Sequence, residues 1–295
     1  MSHILSIDQF DRERIDKLFA RAHEMKKLVE TKGGDDRLKH RVSANLFYEP
    51  STRTSSSFAA AMYRLGGNVI SINDVQYSSV SKGETLEDTI RTLEQYADVI
   101  ILRHPEKGAA TRASHVASVP IINAGDGVGE HPTQALLDLF TIYEEQGQID
   151  GLTITMLGDL KNGRTVHSLA KLLKHYDVTI HAVAPKQLAF PEEYGAVNSS
   201  EKLTDELLKT TDILYVTRVQ KERFDSLEEY EAVQGSYIID LQTAEKMKPK
   251  ASIMHPLPRV GEIHFDVDSN PRAAYFREMK NGLYIRMALL ESVVQ

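Results

Sequence analysis

Two α/β domains, each a parallel β-sheet flanked by helices, are what this sequence predicts, and three observations predict them. The chain has 295 residues, near the length at which one core stops growing and chains divide. Short runs rich in Val, Ile and Leu alternate with stretches of helical periodicity along most of it, which implies right-handed βαβ units. The runs are almost continuously apolar, as strands covered by helices on both faces should be.

Taken in order, the first element is a helix over about 11–30, with Ile15, Leu18, Phe19, Ala22, Met25, Leu28 and Val29 on one stripe and Gly33-Gly34 ending it. Strand-like runs come next at 42–48, 69–73, 99–102, 120–123, 153–158, 178–183, 213–217, 237–240 and 251–254. A helical pattern between 133 and 147 (Ala135, Leu136, Leu139, Ile142, Tyr143) connects the two expected sheets and marks the domain boundary, with residues 1–133 on one side and 134–278 on the other. The polar stretch 185–201, with two prolines and a glycine, reads as an irregular excursion.

Composition narrows the function. Hydrophobic residues at 41% and charged residues at 26% describe a folded globular protein, not a disordered one. No window approaches 18 apolar residues and the N-terminus lacks a basic region followed by an apolar one, so the expectation is a cytoplasmic chain that is neither exported nor membrane-spanning. Cysteine is absent, which removes disulfides, thiolate nucleophiles and Cys-ligated metals. The formal net charge of -7 argues against nucleic acid as a partner, so any bound anion requires a local cluster of cations.

Such a cluster belongs beyond the carboxyl ends of the strands, where open α/β sheets bind their ligands. The residues there are Glu49-Pro50-Ser51-Thr52-Arg53-Thr54, Arg103-His104-Pro105, His131-Pro132-Thr133-Gln134, the stretch Asp159 through Arg164 to Thr165, Arg218-Val219-Gln220, and His255-Pro256-Leu257-Pro258-Arg259. Arg and His recur at strand ends in an acidic protein. Ser51 to Thr54 enter a helix over 55–65, where amides, hydroxyls and a guanidinium converge on a helix N-terminus. Helix capping explains one of those hydroxyls but not the set, so phosphate binding is the better reading.

Other motifs weigh less. Gly158 to Thr165 nearly matches a nucleotide phosphate loop, but Arg164 stands where that loop needs Lys and no G-x-G-x-x-G comes after any strand. His131 reads equally as a structural hydrogen-bonder or a catalyst, and Gln134 one turn on strengthens the second reading. The two prolines after His255 either end a strand or aim main-chain carbonyls at a ligand, with a cis bond before Pro258 a natural means. Neither hydrolytic triads nor metal-ligand spacings are present.

Together these motifs resemble the aspartate carbamoyltransferase family. The residues carrying the resemblance are Phe47 to Thr54 (FYEPSTRT), Lys82-Gly83-Glu84-Thr85, Arg103-His104-Pro105, His131 to Gln134, Asp159 to His167 (DLKNGRTVH), Thr217 to Arg223 (TRVQKER) and His255 to Arg259 (HPLPR). Ser55-Ser56-Ser57-Phe58 and Gly125 to Glu130 (GDGVGE) look like the version in multifunctional eukaryotic pyrimidine enzymes, whereas many bacterial members carry Arg in place of Ser55. The resemblance implies a carbamoyl-phosphate domain over 1–133, an aspartate domain over 134–278 and a last helix within 279–295 packing back on the first domain.

By the same resemblance, Ser51, Thr52, Arg53 and Thr54 hold phosphate. Arg103, His131 and Gln134 grip the carbamoyl group, with Thr54, Arg103 and His131 stabilising charge on its oxygen. Lys82, Arg164, Arg218, Gln220 and the Leu257 backbone hold aspartate. Ser78 and Lys82 reach in from a neighbouring subunit of a homotrimer, although a lone lysine otherwise reads as merely solvated. The implied reaction makes N-carbamoyl-L-aspartate and phosphate early in de novo pyrimidine biosynthesis, with no cofactor and no metal. Regulatory chains or other pyrimidine-pathway enzymes are possible partners. The nearest rival is ornithine carbamoyltransferase, which has Cys in an H-C-L-P motif where this chain has Pro256; a silent anion-binding subunit is the rival from another class.

Overall fold

A computed structural model describes residues 3–73, 79–127, 129–219, 224, 226–231, 233, 235 and 237–294; Ser78 and Gln220 fall outside them. The chain divides into two compact units, residues 1–137 with 279–295, and residues 138–278.

The first unit runs α1 (Arg12–Lys32), β1 (Val42–Phe47), α2 (Thr52–Arg64), β2 (Asn68–Ile72), α3 (Leu86–Leu93), β3 (Val99–His104), α4 (Ala109–Val116) and β4 (Ile121–Asp126). Among the described residues its sheet is parallel throughout, in the order β2-β1-β3-β4. α1 starts where the Asp11 carboxylate accepts the Arg14 N–H and stops at Gly33, whose φ of 81° is the left-handed conformation that glycine adopts without strain. Ala44, Leu46, Ile100, Leu102 and Ile121 pack with Ile90 and Leu93 of α3 and with the alanines of α4. Ile100 to Leu102 are buried on both faces, which explains why β3 lacks polar alternation.

α5 (Pro132–Gln146) comes next, with proline at its first position, where a missing N–H costs nothing. The second unit then runs β5 (Thr153–Leu157), α6 (Arg164–Leu173), β6 (Thr179–Val183), β7 (Asn198–Ser200), α7 (Asp205–Thr210), β8 (Ile213–Val216), α8 (Leu227–Glu231), α9 (Leu241–Glu245) and β9 (Ser252–Met254). Its strands are also parallel, in the order β7-β6-β5-β8-β9. The last helix, α10 (Tyr275–Val294), carries the residues from 279 onward that belong to the first unit. There the buried Glu291 carboxylate takes Arg21 and Arg37, each at 2.7 Å, and Arg286 donates to the Ser57 hydroxyl at 2.9 Å while lying over the Phe58 ring.

Two expected elements differ. The run 237–240 is no strand; Ile239 makes a single bridge to Ile263, and Asp240 instead caps α9 by accepting the Thr243 N–H. An acidic residue offered to a helix start outweighs the β-propensity of the residues before it. Conversely, the stretch read as irregular contains β7, whose residues Asn198, Ser199 and Ser200 are polar and exposed and pair with β6 through their backbones alone. No side-chain pattern announces such an edge strand.

Inside the second unit, Tyr215 of β8 is fully buried and donates to the Asp138 carboxylate at 2.7 Å. Burial first, then the Asp138 charge, push this phenol well above its usual range, so it remains a donor. Tyr215→Phe leaves a buried carboxylate short of one donor and is expected to lower stability by about 1–3 kcal/mol in chemical denaturation; an unchanged midpoint would mean that this bond contributes nothing net.

Candidate active site

In the first sheet the chain adds β2 on one side of β1 and β3 on the other, so the loops after β1 and β3 lead apart and leave a crevice at the carboxyl edge. Arg103, paired in register with Phe47, sits at that point. Its Nε donates to Glu49 Oε2 at 3.2 Å and its Nη1 to Ser51 Oγ at 3.4 Å. Burial pulls the guanidinium below its ordinary value and Glu49 opposes the shift, so the group stays charged.

Ser51 is the N-cap of α2, yet its side chain makes no capping hydrogen bond. The hydroxyl faces Arg103 instead, which weakens the simple capping reading. Thr52 and Arg53 are exposed in the first turn and Thr54 is buried. Amides of a first helical turn lack partners within the helix, so this turn presents N–H groups of the kind that suit an anion. Behind it, the Ser55 hydroxyl donates to Asn73 Oδ1 at 2.8 Å and the buried Asn45 side chain donates to the Ser55 carbonyl at 3.3 Å.

His131 and Gln134 follow β4 on the same sheet edge, and both are buried. The His131 carbonyl accepts the N–H groups of Gln134 and Ala135, which sets the histidine at the mouth of α5. His104 is packed at 4.5 Å from the Tyr48 ring, and burial pulls its imidazole below the ordinary value. Lys82 is exposed in a short turn over 79–82 and enters no ion pair among the described residues.

The second sheet has its own switch point, between β5 and β8. Gly158 ends β5 with φ +114°, and a Cβ there would lie 2.2 Å from the Thr217 carbonyl oxygen. Only glycine lets the two strand ends approach so closely. Thr217 Oγ1 donates to the Leu157 carbonyl at 3.0 Å, and Asp159 Oδ1 accepts the Asn162 N–H at 3.0 Å, folding the loop back so that Arg164 becomes the first residue of α6. Arg218 comes directly after Thr217. A cavity of about 220 Å³ opens beside it, lined among others by Gly158, Thr217, Val260 and Glu262.

The corner after β9 is rigid. The Leu257–Pro258 bond is cis and Leu257 has φ 55°. His255 is buried; its Nδ1 accepts the Leu257 N–H at 2.7 Å, which leaves Nε2 to donate to Glu262 Oε1 at 2.6 Å. Burial pushes the Glu262 carboxyl up, but the hydrogen bonds it accepts from His255 and from the Val260 N–H outweigh it and hold the group below its usual value.

The structure thus gathers Ser51, Arg53, Thr54, Arg103, His131 and Gln134 on one sheet edge, and Arg164, Arg218 and the Leu257 corner on the other sheet's edge. Glu49, Asp159 and His255 are supporting residues that the motifs contained, and Glu262, the partner of His255, lies just beyond the last motif; no spacing discloses these pairings.

Comparison with known proteins agrees with this division. The carbamoyl-phosphate-binding domain model of aspartate/ornithine carbamoyltransferases matches residues 2–144, and the Asp/Orn-binding domain model matches 150–293. The chain is 56% identical to the multifunctional protein pyr1-3 of Dictyostelium discoideum over 99% of its own length but only 13% of that protein's. It is 50% identical to the aspartate carbamoyltransferase catalytic subunit of Thermoplasma volcanium over 99% of this chain and 97% of that one. Its fold matches aspartate transcarbamoylase from Trypanosoma cruzi in complex with N-(phosphonacetyl)-L-aspartic acid, with TM-score 0.94, 45% identity and coverage of 99% and 95%. The catalytic subunit of M. Jannaschii aspartate transcarbamoylase matches with TM-score 0.93, 48% identity and coverage of 100% and 98%. With both domain models matched in order and the likeness running end to end, the chain belongs to the aspartate/ornithine carbamoyltransferase family.

Proposed function

We propose that the chain transfers the carbamoyl group of carbamoyl phosphate to the amine of L-aspartate, giving N-carbamoyl-L-aspartate and phosphate, an early step of de novo pyrimidine biosynthesis. The observation that carries this reading is the pair of switch points: one combines a helix N-terminus, hydroxyls and Arg103, and the other sets Arg164 beside β5 and Arg218 beside β8. Carbamoyl phosphate fits the first set, its phosphate on the helix N-terminus and its carbamoyl group beside Arg103, and the two carboxylates of aspartate fit the second.

In this mechanism Ser51, Thr52, Arg53 and Thr54 hold the phosphate, while Arg103, His131 and Gln134 orient the carbamoyl group. Arg164, Arg218, Gln220 and the Leu257 backbone hold aspartate, and Lys82 and Ser78 come from the neighbouring subunit. The α-amine attacks the carbamoyl carbon, negative charge grows on the carbamoyl oxygen, and Thr54, Arg103 and His131 stabilise it. The C–O bond to phosphate then breaks, and the departing phosphate takes the amine proton. No covalent intermediate on the protein is needed, so positioning and electrostatics supply the rate.

Ornithine is the poorer acceptor in this reading. Its side chain ends in an ammonium, for which Arg218 is the wrong partner, and the chain lacks cysteine altogether. Relatives over the full length carry the aspartate name. We further propose a homotrimer, working in the cytoplasm, with active sites shared between subunits. The multifunctional relatives make other pyrimidine-pathway enzymes reasonable neighbours, as regulatory chains would be beside a catalytic subunit. No helix among the described residues is long and apolar enough to cross a membrane.

The direct test is the purified chain with carbamoyl phosphate and either amine: carbamoyl aspartate should form and citrulline should not, and the reverse would sink the assignment. Arg218→Ala should fail selectively, keeping carbamoyl phosphate affinity by calorimetry while aspartate no longer saturates; loss of carbamoyl phosphate binding with normal aspartate saturation would overturn the division of labour. Sharing between subunits is tested by mixing Arg53→Ala and Lys82→Ala chains, each inactive alone. A working site needs Arg53 from one chain and Lys82 from its neighbour, so random exchange at equal amounts should restore up to about a quarter of wild-type activity per chain. Verified exchange with no recovery would confine Lys82 to its own chain.

A further inference from the structure

The glycine-rich segment ahead of His131 has no part in the reaction as described, yet one side chain in it, that of Asp126, joins the two segments that matter. Asp126 ends β4 and is buried. Its Oδ2 accepts the N–H of Gly108 at 2.8 Å, in the segment that comes after Arg103, and its Oδ1 accepts the N–H of Glu130 at 2.7 Å, the residue directly before His131. The main chain repeats the connection, with the Gly127 N–H donating to the His104 carbonyl at 2.8 Å. A Cβ on Gly127 would lie 2.0 Å from the Pro105 carbonyl oxygen, and one on Gly129 would lie 2.5 Å from Asp126 Oδ1. The two segments are therefore packed against each other with no room for side chains at these glycines. On the far side, Glu130 Oε2 accepts the N–H of Ile7 at 2.7 Å, which anchors this segment to the start of the chain.

We propose that Asp126 is a positioning residue that fixes Arg103 and His131 relative to one another, so that both reach the carbamoyl oxygen as charge develops on it; this rests on the reaction proposed above. The carboxylate suits the task because it has two acceptor oxygens and each meets one backbone N–H. An amide has only one acceptor oxygen and must turn its NH₂ toward one of the two N–H groups, releasing one segment. The hydrogen bonds of Asp126 run to the segments after β3 and β4, whereas the phosphate set sits on α2. Geometry at the carbamoyl oxygen should therefore be separable from phosphate affinity.

The test is Asp126→Asn, assayed for kcat with both substrates saturating, for inorganic phosphate as a competitive inhibitor against carbamoyl phosphate, and for thermal unfolding. The expected result is a fall in kcat of about 10- to 100-fold, as for a displacement on the order of an ångström in an orienting group. The phosphate inhibition constant should stay within about threefold of wild type. A normal kcat, or a parallel loss of turnover and phosphate affinity, would overturn the proposal, since a merely structural role weakens both together. Should Asp126→Asn fail to fold, Gly129→Ala displaces the same carboxylate, and the same split between kcat and phosphate inhibition decides. A wild-type chain that makes no carbamoyl aspartate would overturn the reaction itself, a result distinct from a working wild type with an unaffected variant.

Discussion

Parallel pairing governs where every chemical group in this chain can sit. Strands that all run one way deliver every carboxyl end to a single edge, and a sheet extended outward on both sides of a first strand has one place where neighbouring loops part. That place is β1 beside β3 in the first sheet and β5 beside β8 in the second. The residues with chemical character fall at these places: Ser51 to Thr54 and Arg103 at one, Arg164 and Arg218 at the other. At the second, the approach depends on a missing side chain, because Gly158 leaves no space for even a methyl group against Thr217.

Charge adds a second requirement. Both substrates of the proposed reaction are anions, and a chain of net charge -7 repels them at long range. Attraction must be local and strong at short range, which favours guanidinium groups held in part-buried places over lysines on the surface. Burying a cation is costly unless it is paired. Arg103 meets that condition with Glu49 already against its Nε, and Ser51 against its Nη1, so the group is held in shape before any anion arrives. The same logic holds the last helix in place, where the buried Glu291 is paired with two arginines.

Much of this was legible in the residues themselves. Apolar runs located most strands because burial on both faces leaves a continuous signal, and glycines after helical stripes located helix ends such as Gly33. The failures have a common cause. β7 is held by backbone bonds that leave no trace in Asn198, Ser199 and Ser200, and the 237–240 run has strand-like content but gives its last residue to a cap. In the candidate site the cations were visible because they are unusual at strand ends. Their partners were not: Glu49 meets Arg103 across 54 positions, and Gly108 meets Asp126 across 18. Periodicity and spacing report on neighbours within an element, not on side chains joined by the crossing of two loops.

The division between visible and hidden residues bears on how such a reaction runs. Without a covalent step or a bound metal in the proposed mechanism, the acceleration must come from holding groups still in the right place. Cations and hydroxyls are necessary for that but not sufficient, since a loop that drifts by an ångström carries its arginine with it. What prevents drift in this chain is a set of carboxylates that accept backbone N–H groups: Asp126 across the segments after β3 and β4, Asp159 within the loop that leads to Arg164, and Glu262 against the corner at Leu257. Asp126 takes two short, charge-assisted bonds from main chain, while Asp159 and Glu262 each take one from main chain beside one from a neighbouring side chain. Net negative charge, which at first sight is a handicap for an anion-binding protein, is therefore partly the cost of fixing the loops that carry its positive ones.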